Sequence, residues 1–187
     1  MTRIAIVYHS GYGHTARMAR SVAEGAGAGA QLLAISAEGE LPADAWAELD
    51  EAAAIIFGCP TTMGGPSWQF KRFADASSKV WAAGRWKDKL AAGFTNSASI
   101  NGDKASTIAY LITLAMQHGM LWVGTGLMPA NTKAAQRNDV NWLAGFAGAL
   151  AQSPADAAPE EMFPGDLETA RLFGARVAEQ ARRLTRA

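Results

Sequence analysis

The sequence predicts a doubly wound α/β fold, a five-stranded parallel sheet of order 2-1-3-4-5 with helices on both faces. Three observations carry this expectation. Five short apolar runs alternate with segments of helical periodicity. Each run is apolar at successive positions, as strands covered on both faces are. The residues after the first, third and fourth runs are glycines, hydroxyls and amides, which suit loops at the ligand edge of such a sheet.

The first strand is Ile4–His9, and "SGYGHT" leads from it into a helix expected over about 15–26. Leu32–Ser36 is the second strand, with a helix at about 43–50 after it. Ala53–Gly58 is the third, and "CPTTMGGP" precedes a helix at about 67–80. Ala91–Asn96 is the fourth, and "TNSASING" precedes a helix at about 104–118. Met120–Gly126 is the fifth.

Pro164-Gly165-Asp166 announces the closing helix, a stop followed by an N-cap residue type, with Glu168 in the first turn. Leu167, Ala170, Gly174, Val177, Ala178, Ala181 and Leu184 form its apolar stripe, and Arg182, Arg183 and Arg186 suit its C-terminal dipole. The stretch at about 128–163 is expected to be a long non-regular segment. Within it Asn138–Gln152 is too apolar for solvent and should pack on the body or on another subunit, whereas Ser153–Pro159 reads as mobile. A chain of 187 residues suits one domain spanning 1–187.

Seventeen basic and seventeen acidic residues balance, so no global field points to nucleic acid or an anionic membrane. One cysteine, Cys59, excludes an internal disulfide framework and suits a reducing, cytoplasmic setting. His9, His14 and His118 show no metal-ligand spacing. The N-terminus enters a strand directly, without a signal peptide pattern, and no apolar run has the length of a membrane span.

Three loops carry the chemistry. In the first, Ser10, Gly11, Tyr12, Gly13, His14 and Thr15 offer hydroxyls and approachable backbone N–H groups ahead of a positive helix end, a cage for a phosphate. Gly11, Gly13 and Ala16 also fit the dinucleotide pattern G-x-G-x-x-A. That reading requires an acidic residue closing the second strand, whereas the strand ends in Ile35-Ser36-Ala37 and Glu38 comes late. In the second loop, backbone groups of Pro60, Thr61, Thr62 and Gly64 can meet the edge of a planar heterocycle while Met63 packs on its face. In the third, Asn96, Ser97, Ala98, Ser99 and Asn101 can lie against a ring and donate to its carbonyls. Each loop taken alone is also compatible with an ordinary turn. Together they favour a flavin mononucleotide (FMN) over a dinucleotide.

"YHSGYGHTARMARSVAEGA", "AAIIFGCPTTMGG", "VWAAGRWKDKLAAGFTNSAS" and "TLAMQHGM" resemble, in order, the flavodoxin-like NAD(P)H:quinone oxidoreductases of the WrbA type. The resemblance covers most of residues 3–126 and extends to the final helix. It implies a flavodoxin-like fold with the FMN phosphate on Ser10–Thr15 and the ring system at Thr61–Met63 and Asn96–Asn101. It further implies that Tyr12 and Trp81 shape a nicotinamide or quinone pocket and that His118 contacts the flavin. The sequence departs from the family pattern at "GGPSWQFKRF", where an Arg-Phe pair is missing, and at "LMPANTKAAQRNDVNW".

Trp81 and His118 each end a helix that starts at the ligand edge, and a dozen helical residues span about 18 Å. If they serve the site, they reach a neighbouring subunit's flavin, which implies a homo-oligomer, dimer or tetramer, with composite sites. The alternative is an apolar anchor at Trp81 and a satisfied helix-end histidine at His118. The expected function is transfer of a hydride from NADH or NADPH through FMN to a quinone or similar small acceptor. The flavin carries the chemistry, and no obligatory acid–base side chain is named. Two other classes stay open: a flavodoxin-like electron carrier, against which the zero net charge argues, and a non-catalytic FMN-binding protein.

Overall fold

The computed structural model describes residues 2–185; Arg186 lies outside them. In chain order β1 (Ile4–His9), α1 (His14–Ala26), β2 (Ala30–Ile35) and α2 (Ala43–Glu51) come first. Next are β3 (Ala54–Thr62), β4 (Gly65–Pro66), α3 (Trp68–Ala76), α4 (Ser78–Ala82) and β5 (Leu90–Ser97). The chain continues with α5 (Lys104–Gln117), β6 (Leu121–Trp122), β7 (Ala149–Gln152), a 3-10 turn at Pro159–Glu161, and α6 (Pro164–Leu184).

The strands run in the order β2-β1-β3-β5 and are parallel, as the apolar runs predict. Alternate residues face opposite sides, the period-2 consequence of the pleat. Ile4, Ile6, Ala54 and Ile56 pack with Met18, Val22, Phe173 and Val177 on the side of α1 and α6. Ala5, Val7, Ile55 and Phe57 pack with Leu49, Phe70, Phe73, Trp86 and Leu111 on the other.

The fifth position of the sheet differs from the expected Met120–Gly126. Two separate segments share it. β6 pairs with the start of β5 (Leu90↔Leu121, Ala91↔Trp122). β7 pairs with its end, from Phe94↔Ala149 to Ser97↔Gln152. The Val123 N–H still donates to the Ala91 carbonyl at 2.8 Å, after which the chain turns out of the sheet. Thr125 fixes that departure by donating from its backbone N–H to Phe146 O and from its hydroxyl to Gly145 O. Thus the segment at about 128–163 is not wholly non-regular, and Asn138–Gln152 contributes a sheet strand from its apolar end.

The helix expected over 67–80 is broken at Ser77. The Ser77 hydroxyl donates back to Ala74 O at 2.6 Å, a local bond that competes with helix continuation. None of the helices among the described residues is long and apolar enough to cross a membrane.

Candidate functional site

The carboxyl ends of β1, β3 and β5 open into one cavity of about 980 Å³. That lies at the upper end of the roughly 300–1,000 Å³ of small-molecule sites. It is built from four walls.

The first wall is the β1–α1 loop. Gly13 has φ +93°, in the left-handed region, and a Cβ there would lie 2.7 Å from Pro159 Cγ. Only glycine suits both constraints. Its N–H donates to Ser10 Oγ at 3.1 Å. Helix α1 starts at His14 with no side-chain cap among the described residues and no acidic residue in its first turn. Its first-turn N–H groups and the positive end of its dipole are thus directed at the loop. Neutral donors of this kind fit a phosphate monoester. Tyr12, 90% exposed, stands at the mouth.

The second wall departs from the expected open loop. β3 runs on to Thr62 and returns as β4, with Thr61↔Pro66 and Thr62↔Gly65 paired antiparallel. Met63 (φ 48°) and Gly64 (φ 78°) form the two-residue turn, both in the positive-φ region that tight hairpins need. The Ser106 hydroxyl bonds Gly64 O and pins this hairpin to α5. Met63 is fully exposed at the tip and does not line the cavity. The wall is completed by Ser67, Trp68 and Gln69 at the start of α3. His9, buried at the end of β1, holds Ser67 through Nδ1···Oγ at 2.9 Å. Burial holds the His9 imidazole below its ordinary pKa, so it is neutral at pH 7.

The third wall follows β5. Asn96 is buried; its Oδ1 accepts from the Thr15 hydroxyl at 2.6 Å and its Nδ2 donates to Ser153 Oγ at 3.2 Å. Thr15 therefore spends its hydroxyl on Asn96, tying the first wall to the third. Ser97 and Ala98 line the cavity, whereas Ser99 and Asn101 lie behind, with their carbonyls bonded to Lys104.

The fourth wall was not legible as part of a site. Ser153, Pro154, Ala155 and Ala157 face the cavity after β7. The Ser153 N–H donates to Ser97 O at 3.0 Å, and His14 Nε2–H donates to Ala157 O at 2.8 Å. The segment read as mobile is thus held at both ends against the first and third walls.

Among the residues expected from sequence, Ser10, Gly11, Tyr12, His14, Thr15, Pro60, Thr61, Thr62, Asn96, Ser97 and Ala98 come together around the cavity. Gly13, Met63, Gly64, Ser99, Asn101, Trp81 and His118 are not part of its lining. Trp81 is half exposed on α4. His118 is buried at the end of α5, where Nε2 meets Ser77 Oγ at 2.9 Å and the ring lies 4.4 Å from Trp86. Its Nδ1 has no partner among the described residues. Cys59 is fully buried, and burial pushes its thiol far above the ordinary range, so it offers no nucleophile. No group of three or more histidine, cysteine or acidic side chains could hold a metal among the described residues.

Parallel sheet, uncapped helix end and cavity at the strand tips together define a flavodoxin-like protein. The profile of the flavodoxin family matches residues 6–105. Flavodoxin FldP of Pseudomonas aeruginosa is 52% identical over 184 residues, covering 98% of this chain and 99% of its own. A protein named NAD(P)H dehydrogenase (quinone), from Geotalea uraniireducens, is 35% identical over 208 residues, covering 98% and 100%. The crystal structure of a WrbA-like flavodoxin from Agrobacterium tumefaciens is 55% identical and superposes with a TM-score of 0.81, covering 98% and 99% of the two chains. The chain belongs to the flavodoxin family, in its WrbA-like group.

Proposed function

We propose that this chain binds FMN and uses it to pass a hydride from NADH or NADPH to a quinone or similar small acceptor. The observation that carries the reading is a wide cavity whose donors are neutral and whose mouth is flanked by two exposed aromatic residues, Tyr12 and Trp68. The loop Ser10–Thr15 and the start of α1 would receive the phosphate. Backbone groups of Pro60–Thr62 and Asn96–Ala98 would meet the ring system, and Trp68 would cover part of it. FMN, when bound, supplies the hydride chemistry. The protein's share is to bind, orient and leave one face open to a second planar ligand.

The relative named NAD(P)H dehydrogenase (quinone) supports this activity. A cytoplasmic setting agrees with the single, buried Cys59. A homo-oligomer with composite sites is part of the proposal only through Trp81, which is exposed; His118 is held by Ser77 and Trp86 and is left out.

A second reading, an electron carrier without a nicotinamide site, is favoured by the relative named flavodoxin and by the exposure of the cavity mouth. FMN titration followed by steady-state oxidation of NADH or NADPH with benzoquinone separates the two. Turnover by the loaded protein supports the oxidoreductase, and bound flavin without turnover supports the carrier. In Gly13→Ala the left-handed φ costs about 1–2 kcal/mol and Cβ meets Pro159, so FMN binding is expected to fall at least about tenfold.

A further inference from the structure

Behind the third wall lie two buried charged side chains, Lys104 and Asp166, and a partly buried one, Arg137. Lys104 is 1% exposed and Asp166 2%. Arg137 lies between two rings, 3.7 Å from the centroid of Phe163 and 4.9 Å from that of Trp142. Its two terminal nitrogens donate to the two oxygens of Asp166, each at 2.8 Å. Asp166 Oδ2 also accepts the Gln152 backbone N–H at 2.8 Å. The carboxylate is therefore satisfied by Arg137 and by β7, while Arg137 Nε has no partner among the described residues. Lys104 is satisfied differently. Its ammonium donates to the carbonyls of Ser99 (2.6 Å), Ile100 (2.9 Å) and Asn101 (3.3 Å), gathering one loop around a single point charge.

Two consequences follow from elementary chemistry. In a trans peptide the N–H points opposite to the C=O. Three carbonyls turned to Lys104 thus turn the N–H groups of Ile100, Asn101 and Gly102 away from it. Second, Arg137 and Asp166 balance each other, so Lys104 is left as a buried positive charge that little water screens. The loop gathered on Lys104 continues directly from Ser97 and Ala98, which line the cavity.

We propose that Lys104 is a positioning residue for the flavin site: it orders residues 98–103 as the support behind the Ser97–Ala98 wall, and its buried charge favours the more negative, reduced state of the bound group. The inference rests on the FMN reading for its second half and on the protein alone for its first. Lys104 touches no ligand; it acts through the loop and through its field.

The test compares Lys104→Met, Lys104→Gln and Lys104→Arg in the full chain, with three readouts: hydrogen exchange of residues 98–103 without FMN, FMN affinity, and the flavin midpoint potential. Lys104→Met is expected to speed exchange in 98–103 while leaving α1 and α6 unchanged. It should also weaken FMN by up to about tenfold, through the lost ordering of the loop, and lower the potential. Lys104→Arg should restore the potential, and Lys104→Gln should not. If Lys104→Met does not fold, the Gln and Arg variants decide the same question. Unchanged exchange in 98–103 overturns the ordering role. A potential unchanged in Lys104→Gln, or shifted equally in Lys104→Arg, overturns the electrostatic one. A wild-type chain that binds no FMN fails the flavin reading instead, and the exchange comparison still decides the ordering role.

Discussion

His9 shows how a single residue links strand, helix and site. It ends β1, faces the cavity, and holds Ser67 at the start of α3, so that Trp68 emerges at the rim. Burial favours its neutral form. The unfolded chain takes up a proton near the ordinary value of about 6.5, before the folded chain does. Stability is therefore fully retained above that value and is lost as pH falls from it toward the lowered folded value. FMN affinity is expected to fall over the same acid range, because protonation disturbs the Ser67 contact. His9→Gln, which does not titrate, should flatten the acid limb of FMN binding measured by flavin fluorescence. An acid limb of unchanged depth in that variant would show that His9 does not control the wall. His118 is also buried and held below its ordinary pKa, so the stability curve should flatten only in part. Lys104 has a linkage of the same sign, displaced into alkaline solution. Burial pushes its ammonium down to about 8, opposed by Asp166 and aided by Arg137. Its buried charge opposes folding below that value, and the penalty is relieved as pH rises toward the unfolded lysine's range.

Secondary-structure elements explain what was legible and what was not. The first four strands were legible because a parallel strand covered on both faces is a bounded apolar run with no competing period. The residues at their tips were therefore placed correctly as neighbours. The fifth position of the sheet was legible only in part: Leu121–Trp122 falls within the expected strand, but "ALAQ" at Ala149–Gln152 is too short for its period to be told from a buried helical turn. With it went Ser153 through Ala157, the wall that strand positions. The hairpin at Met63-Gly64 was read as an open loop because a methionine at positive φ contradicts its own preference and only tertiary pairing reveals it. Trp68 does carry a sequence signal: Pro66-Ser67 is a helix-start pair, which sets the next residue on the first turn beside the loop. The packing of α1 on α6 gives a sharper prediction. Gly174 faces α1 so closely that a Cβ would lie 2.0 Å from Val22 O, and at Gly25 one would lie 1.7 Å from Arg171 O. Alanine gains about 1 kcal/mol in helix propensity, but backbone overlap forces the helices apart. Overpacking of this kind costs about 1–3 kcal/mol, so Gly174→Ala should lower the melting temperature measured by circular dichroism. A raised melting temperature would mean that α1 and α6 can separate freely.

At the scale of the whole molecule, the fold concentrates polar donors at one edge of the sheet and leaves Tyr12 and Trp68 exposed there. Zero formal charge gives the chain no net electrostatic attraction for a strongly charged partner. The most direct measurement is anaerobic mixing of the FMN-loaded chain with NADPH, and separately NADH, while following flavin absorbance, and then adding benzoquinone. The account predicts rapid bleaching by at least one nucleotide and prompt recovery of absorbance on adding the quinone. Yellow flavin that stays bound and is reduced by neither nucleotide would contradict it and leave an electron carrier or a non-catalytic FMN-binding protein.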